Sequence, residues 1–295
     1  ADRRGSRAPR RSGRHRRARR INEHLARAAE RRGVAIGVGS QRKAIEDPSL
    51  AASFQIRDLA PSVPLLANLG AVQLNYGYGL DECRRAVDMI SADALVLHLN
   101  PLQEAIQPEG DSDFSGLLPK IGRIVRRLEV PVSVKEIGCG LSRRMGVALR
   151  DEGVRIVDSA GLGGTSWARS EAARAHDHEL GELFAEWGVP TPESIAGLAS
   201  VGGLTVIGSG GVRNGLDAAK AIALGAALVG VAQLFLEPAT ESAEAAIRAI
   251  ERVERELRIA MFCVGAPDVA SLGAVELRPR DRSNGGREIE REGRE

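Results

Sequence analysis

Cysteine is scarce in this sequence. Cys83, Cys139 and Cys263 are the three among 295 residues, and no two stand at CxxC spacing. That excludes a disulfide scaffold and a zinc motif, and it suits a cytoplasmic setting. Long apolar runs are missing too. None approaches the roughly 20 residues that a membrane-spanning helix needs, so no span is expected. Acidic residues are nearly absent from the first 20 positions, "ADRRGSRAPRRSGRHRRARR", where ten Arg face one Asp. This head has no apolar h-region, which excludes a secretory signal. It also has no amphipathic order, which argues against a transit peptide. The whole chain carries 41 basic and 39 acidic side chains, so without the head 31 basic and 38 acidic remain over 21–295. The body is mildly acidic, and nucleic acid is not its expected partner.

What is present is an alternation. Short runs rich in β-branched residues and Leu recur at 34–40 (VAIGVGS), 63–70, 94–100, 130–138, 154–161, 204–211 and 227–233. Each has the length of a buried parallel strand. Between them lie amphipathic stretches such as "INEHLARAAERRG", closed by Gly33, and "SLAASFQIRDLA" (49–60), both expected as helices. The end of the chain, "VERELRIAMFCVGAPDVASLGAV", reads as a long helix and a short one. The unit repeats about every 30 residues, as βα units do. Polar residues gather where each run leaves the core: Ser40, Asn68, His98 and Asn100, Lys135 and Glu136, Asp158, Ser209 and Gln233. A (β/α)8 TIM barrel builds its active site there, whereas an open doubly wound sheet uses one crevice. The fold class is therefore α/β, an incomplete (β/α)8 barrel with seven of eight strands identifiable. The first strand would precede the helix at 21–32, where the Arg-rich head offers no buried strand. Residues 1–20 are expected as a disordered head, 21–277 as the barrel, and 278–295 as a charged disordered tail.

Four stretches carry the chemistry. "VIGSGGVRNGLDAAKAIALGA" is a strand, a Gly-rich turn and a helix. Backbone amides at Gly210 and Gly211 can approach a phosphate there, with Gly230 and Ala232 closing the cradle. A tight turn without a ligand is the alternative, and two such turns on the last two strands weigh against it. "DSAGLGGTSWARSE" (158–171) places three glycines in four residues, which argues for close backbone approach to something flat or anionic. Lys135 leaves the core at a strand end, where its charge can hold an electron-rich cofactor edge. "HLNPLQEAIQPEGD" (98–111) crowds His98, Asn100, Gln103 and Glu104 into seven residues. Singly, each has an ordinary structural explanation; together they mark a barrel mouth. Glu104 is a hard oxygen ligand suited to Mg²⁺, and Glu171 can add a second carboxylate.

These residues resemble one family, the type 2 isopentenyl-diphosphate isomerases, which are FMN-dependent barrels. The likeness rests on "GVAIGVGSQRKAIEDP", "LLANLGAVQLNYG", "ALVLHLNPLQEAIQPEGDSDF", "VPVSVKEIGCGLS", "VDSAGLGGTSWARSE", "WGVPTPESI" and "IGSGGVRNGLDAAKAIALGA", in order from Ile21 to Val264. The resemblance implies FMN held by Ser40, Asn68, Lys135, Thr165, Gly210, Gly211, Ala232 and Gln233. It implies the substrate diphosphate at Ser40, Gln41 and Arg42, and His98, Asn100 and Gln103 lining the substrate, with Gln103 near the reacting carbons. Glu104 would ligate Mg²⁺, with Glu171 nearby. NADPH would reduce the flavin, and the enzyme would be a cytoplasmic homo-oligomer.

The sequence departs from that family before Ile21. The family's opening segment, with an Arg-Lys pair and a His, is not found, nor is the first strand with its Met-Thr-Gly-Gly loop. The expectation is a chain truncated or frameshifted upstream of Ile21, with impaired activity. Two other readings stand beside it. An FMN-dependent hydroxy-acid oxidase would want a His/Arg pair on the late strands, and Arg213 has no His near it in sequence. A non-catalytic barrel fragment would use its basic head to bind anionic polymers.

Overall fold

The structure is a computed structural model, and it describes residues 8–278. All seven expected strands form: β1 (Ile36–Gly37), β2 (Leu65–Gly70), β3 (Ala94–Leu99), β4 (Val132–Glu136), β5 (Ile156–Asp158), β6 (Thr205–Gly208) and β7 (Leu228–Val229). They pair in parallel and in sequence order, β1 to β7. The helices are α1 (Ala8–Arg32), α2 (Arg42–Glu46), α3 (Leu80–Ile90), α4 (Pro101–Ile106), α5 (Leu117–Arg127), α6 (Arg143–Asp151), α7 (Trp167–Ala175), α8 (His178–Leu183), α9 (Thr191–Ala199), α10 (Gly215–Ala223), α11 (Gln233–Glu241), α12 (Ala243–Cys263) and α13 (Val269–Leu272).

Strand periodicity sorts the side chains. Leu97 on β3 pairs with Val134 on β4, then Val157 on β5 and Val206 on β6. All four are buried, under the helices. One residue further on, the row alternates to the inner face and becomes polar: His98 pairs with Lys135, and Lys135 with Asp158. The apolar row holds the barrel wall together, and the polar row lines its mouth.

Two expectations change. The Arg-rich stretch expected to be disordered is helical from Ala8 onward, continuous with the packed part of α1. Ala and Arg are strong helix formers, and Arg19 pairs with Glu23 one turn on at 2.8 Å. Residues 1–7 and the tail from 279 lie outside the described residues. The helix expected at 49–60 is instead two short 3-10 turns, Pro48–Ser53 and Arg57–Leu59. Side chains compete with helical bonding there. Ser53 Oγ donates to the Leu50 carbonyl at 2.8 Å, and Arg57 spreads over the carbonyls of Ala60, Val63 and Ser91.

The helix layer joins where the sheet does not. Among the described residues β1 pairs with β2 alone and β7 with β6 alone. Outside that seam α1 packs on α11 and α12 through Ala28, Ala239, Ala246 and Ile250. His24 Nδ1 meets the Ala239 carbonyl at 2.8 Å, and Arg32 ion-pairs with Glu251 at 3.3 Å and with Glu254. No described helix is long and apolar enough to cross a membrane.

Candidate active site

The inner row is a charge-matched set. His98 Nδ1 lies 2.8 Å from Asn68 Oδ1, and Asn68 Nδ2 donates to the Val38 carbonyl at 3.0 Å. Burial pushes the His98 pKa down to about 3, and the Lys135 ammonium pushes the same way. His98 is thus a neutral imidazole at any working pH. Lys135 Nζ donates to the Glu136 carbonyl at 2.6 Å. Burial holds the Asp158 carboxyl above the usual carboxylate range, opposed by Lys135, the Ser209 hydroxyl and the Ala160 amide. The sequence places Asn68 and Lys135 at strand ends; strand pairing sets Lys135 beside His98, and a side-chain hydrogen bond ties Asn68 to it.

The β3 loop completes an unbroken polar chain across the mouth. Arg42 Nη1 bonds Asp111 Oδ2 at 2.6 Å. The Asp111 amide donates to Glu104 Oε2 at 2.8 Å, and Asn100 Nδ2 donates to Glu104 Oε1 at 2.7 Å. Asn100 also reaches Gln103 Oε1 at 3.1 Å, and Gln103 Nε2 donates to Glu171 Oε1 at 2.8 Å. Arg174 closes the chain on Glu171 Oε2 at 3.0 Å. Glu104, Asn100 and Glu171 are all buried. The loop that returns Asp111 packs so closely that a Cβ at Gly110 would lie 1.8 Å from the Glu104 carbonyl oxygen. Arg42, Asn100, Gln103, Glu104 and Glu171 thus meet in one constellation, and His98 is tied instead to Asn68.

Gln41 does not join them. It is fully buried, its Nε2 donating to the Ala86 carbonyl at 2.9 Å and its Oε1 accepting the Asn68 amide at 2.9 Å. The side chain braces β2 against α3. Ser40 is exposed one residue before it.

The glycine-rich loops approach one another. A Cβ at Gly210 would lie 2.2 Å from the Gly161 carbonyl oxygen, and one at Gly211 would lie 2.1 Å from that of Gly163. Both glycines have positive φ, 104° and 75°. The close approach expected with a flat or anionic ligand is met first by backbone against backbone. The turn still presents consecutive amides in the left-handed region, a geometry that gathers anions. Thr165 Oγ1 and Gln233 Oε1 stand 3.3 Å apart, so the β5 loop and the start of α11 face each other, with Ala232 exposed beside them.

Sequence inspection missed Gln73, which is buried and donates to Asp111 Oδ2 at 3.0 Å. It also gave no role to Asp111, whose only mark was its place at the end of "QPEGD".

The donor sets suit the groups expected here. Asn100 Oδ1 is buried without a hydrogen-bond partner, beside Glu104 and Gln103. Hard oxygens are what Mg²⁺ takes, and two carboxylates suffice because that ion keeps waters and phosphates as its other ligands. No cluster of three or more His, Cys, Asp or Glu side chains forms a metal site among the described residues. For a flavin phosphate and ring the mouth offers Gly-turn amides, two polar side chains facing across the loops, and the Lys135 cation.

Comparison with known proteins decides the family. Residues 186–279 match the FMN-dependent dehydrogenase family. An isopentenyl-diphosphate delta-isomerase from Hydrogenovibrio crunogenus is 49% identical over 256 residues, covering 85% of this chain and 75% of that protein. One from Synechocystis sp. is 50% identical, covering 92% of this chain and 78% of that protein. The chain belongs to the isopentenyl-diphosphate delta-isomerase family. Among solved structures, a mandelate oxidase with a monooxide FMN adduct superposes with a TM-score of 0.58 at 20% identity, covering 85% of this chain and 72% of that one. That likeness speaks for the barrel fold alone.

Proposed function

We propose that this chain interconverts isopentenyl diphosphate and dimethylallyl diphosphate, with FMN as its cofactor and Mg²⁺ as the counter-ion of the substrate. The observation that carries the reading is the continuous polar chain from Arg42 to Arg174, built on a barrel about half identical to isomerases of that name.

In this reading Ser40, Asn68, Lys135, Thr165, Gly210, Gly211, Ala232 and Gln233 hold the flavin. Reduced FMN, when bound, supplies the acid–base chemistry of a reaction without net redox change, and NADPH is the reductant. Ser40 and Arg42 grip the diphosphate, and Glu104 and Glu171 hold the cation that neutralises it. An unactivated alkene is a weak base, so the proton donor has to be held against it in a dry site. His98 contributes by staying neutral. It can hydrogen-bond near the hydrocarbon without bringing an uncompensated charge. Asn100 fixes Gln103 from one side and Glu171 from the other, so the Gln103 amide is oriented before substrate arrives. We place the enzyme in the cytoplasm, in keeping with its three free cysteines. We also read it as a homo-oligomer, in keeping with exposed apolar side chains such as Leu183, Trp187 and Phe262.

The test is a flavin absorbance spectrum of the purified protein, followed by incubation with isopentenyl diphosphate, Mg²⁺ and NADPH. Bound flavin is expected in the purified protein, and dimethylallyl diphosphate is expected to appear only when the reductant is present. A protein that carries flavin but leaves the substrate unchanged would sink the isomerase reading.

A further inference from the structure

Glu136 ends β4, and its carboxylate is buried, 4% exposed. Nothing in the site just described uses it. Its register partner on β3 is Leu99, an apolar residue, so packing at this level of the wall does not by itself call for a charge. The carboxylate faces the chain instead. Oε2 accepts the backbone amides of Ile137 at 2.6 Å and Gly138 at 2.7 Å, and that of Cys139 as well. Three successive amides converging on one point form an anion-binding concavity. Here the anion is the side chain that precedes them. The carbonyl of the same residue accepts Lys135 Nζ at 2.6 Å. Glu136 therefore grips the chain at both ends, the lysine behind it and the turn ahead.

That turn is wedged against the next loop. The Ile137 carbonyl accepts Trp167 Nε1 at 3.0 Å. Gly138 lies so close to the Thr165 carbonyl that a Cβ there would be 2.9 Å from it. The Cys139 carbonyl accepts the Val189 amide at 2.7 Å, and the Gly140 amide donates to Ala160 at 3.0 Å. Trp167 is the first residue of α7, which carries Glu171.

We propose that Glu136 is a positioning residue for the flavin wall: its buried carboxylate shapes the 137–140 turn and thereby sets Lys135 and Thr165 for the cofactor. The proposal rests on the reading that FMN binds at Lys135 and Thr165. Amide bonds to a carboxylate are stronger than those to a neutral acceptor, and a buried amide left without one is costly. A neutral side chain at this position leaves the turn free to relax, and the relaxation passes to Thr165 through the Gly138 contact and to Trp167 through Ile137.

The experiment compares wild-type apoprotein with Glu136→Gln, which keeps the shape and removes the charge. FMN affinity is read by quenching of flavin fluorescence, and amide hydrogen exchange is read along the chain. The expected result is FMN binding weakened roughly tenfold or more. Exchange should be faster at 137–139 and 165–167, and unchanged in β2 and β3. Unaltered FMN affinity overturns the proposal. So does exchange accelerated evenly through the barrel, which would mean a general structural role. If Glu136→Gln does not fold, Glu136→Asp takes its place with the same readouts, because it keeps the charge but is too short to reach all three amides. A wild type that binds no FMN overturns the flavin reading itself, and this proposal with it.

Discussion

Gln103 is held from both sides before any substrate arrives, accepting from Asn100 and donating to Glu171. A side chain so tethered serves orientation, and its loss should appear in turnover. Gln103→Ala is expected to lower kcat about 100-fold while FMN affinity stays at the wild-type value, as judged by steady-state kinetics beside a flavin titration. Equal loss in both would place Gln103 against the cofactor instead. His98 makes a different prediction. Its folded pKa of about 3 lies below the ordinary 6.5, so between those values the unfolded chain holds the extra proton. The stabilisation is complete above pH 6.5 and declines as pH falls. Urea midpoints measured from pH 7.5 to pH 5 should therefore drop more for wild type than for His98→Gln. Parallel curves would mean that His98 is not kept neutral by the fold.

At the scale of elements, local pattern told much and long-range pairing the rest. The strands were legible because parallel strands at the heart of a sheet are short runs rich in Val, Leu and Ile, as at Leu95–Leu97. The crowd at 98–104 was legible because polar residues at the end of such a run have few other reasons to cluster. The burial of the Gln41 side chain was not legible in "SQR". Its burial depends on α3, some 45 residues later, offering the Ala86 carbonyl. The two glycine loops were seen singly, and that they pack on each other depends on strand order, which no local window contains. A pair of substitutions separates these effects. Gly33 has φ of +68° and open space around it, so Gly33→Ala should cost about 1–2 kcal/mol of backbone strain and leave flavin binding intact. Gly164 is outside the left-handed region, yet a Cβ there would lie 2.8 Å from the Gly211 amide nitrogen. Gly164→Ala is therefore expected to push the two loops apart and weaken FMN binding, with thermal midpoint and fluorescence titration read on both variants. Identical flavin affinities would show that loop-to-loop packing does not shape the cofactor site.

Across the whole molecule, the helices join over the place where β1 and β7 have no second partner among the described residues. Ile250 sits in that joint with Ala28, Ala239 and Ala246. Ile250→Ala should destabilise the protein by about 2–5 kcal/mol, and the loss should show first at α1. Its arginines are natural tryptic sites, so limited trypsin digestion should cut Arg27, Arg31 and Arg32 sooner than in wild type. An unchanged cleavage order would mean that α1 is held by something other than this seam.

The same joint sets an order of events during synthesis. His24 finds its partner 215 residues later, and Arg32 finds Glu254 222 residues later. Ala26 and Ala29 of α1 can pack early against the main core, but Ala28 and the face around it cannot be covered until α11 and α12 have left the ribosome. Contacts of such long sequence separation slow folding, since the loop entropy must be overcome before they form. The clasp is thus a late contact, and until it forms the face of α1 around Ala28 is what a chaperone would have to protect.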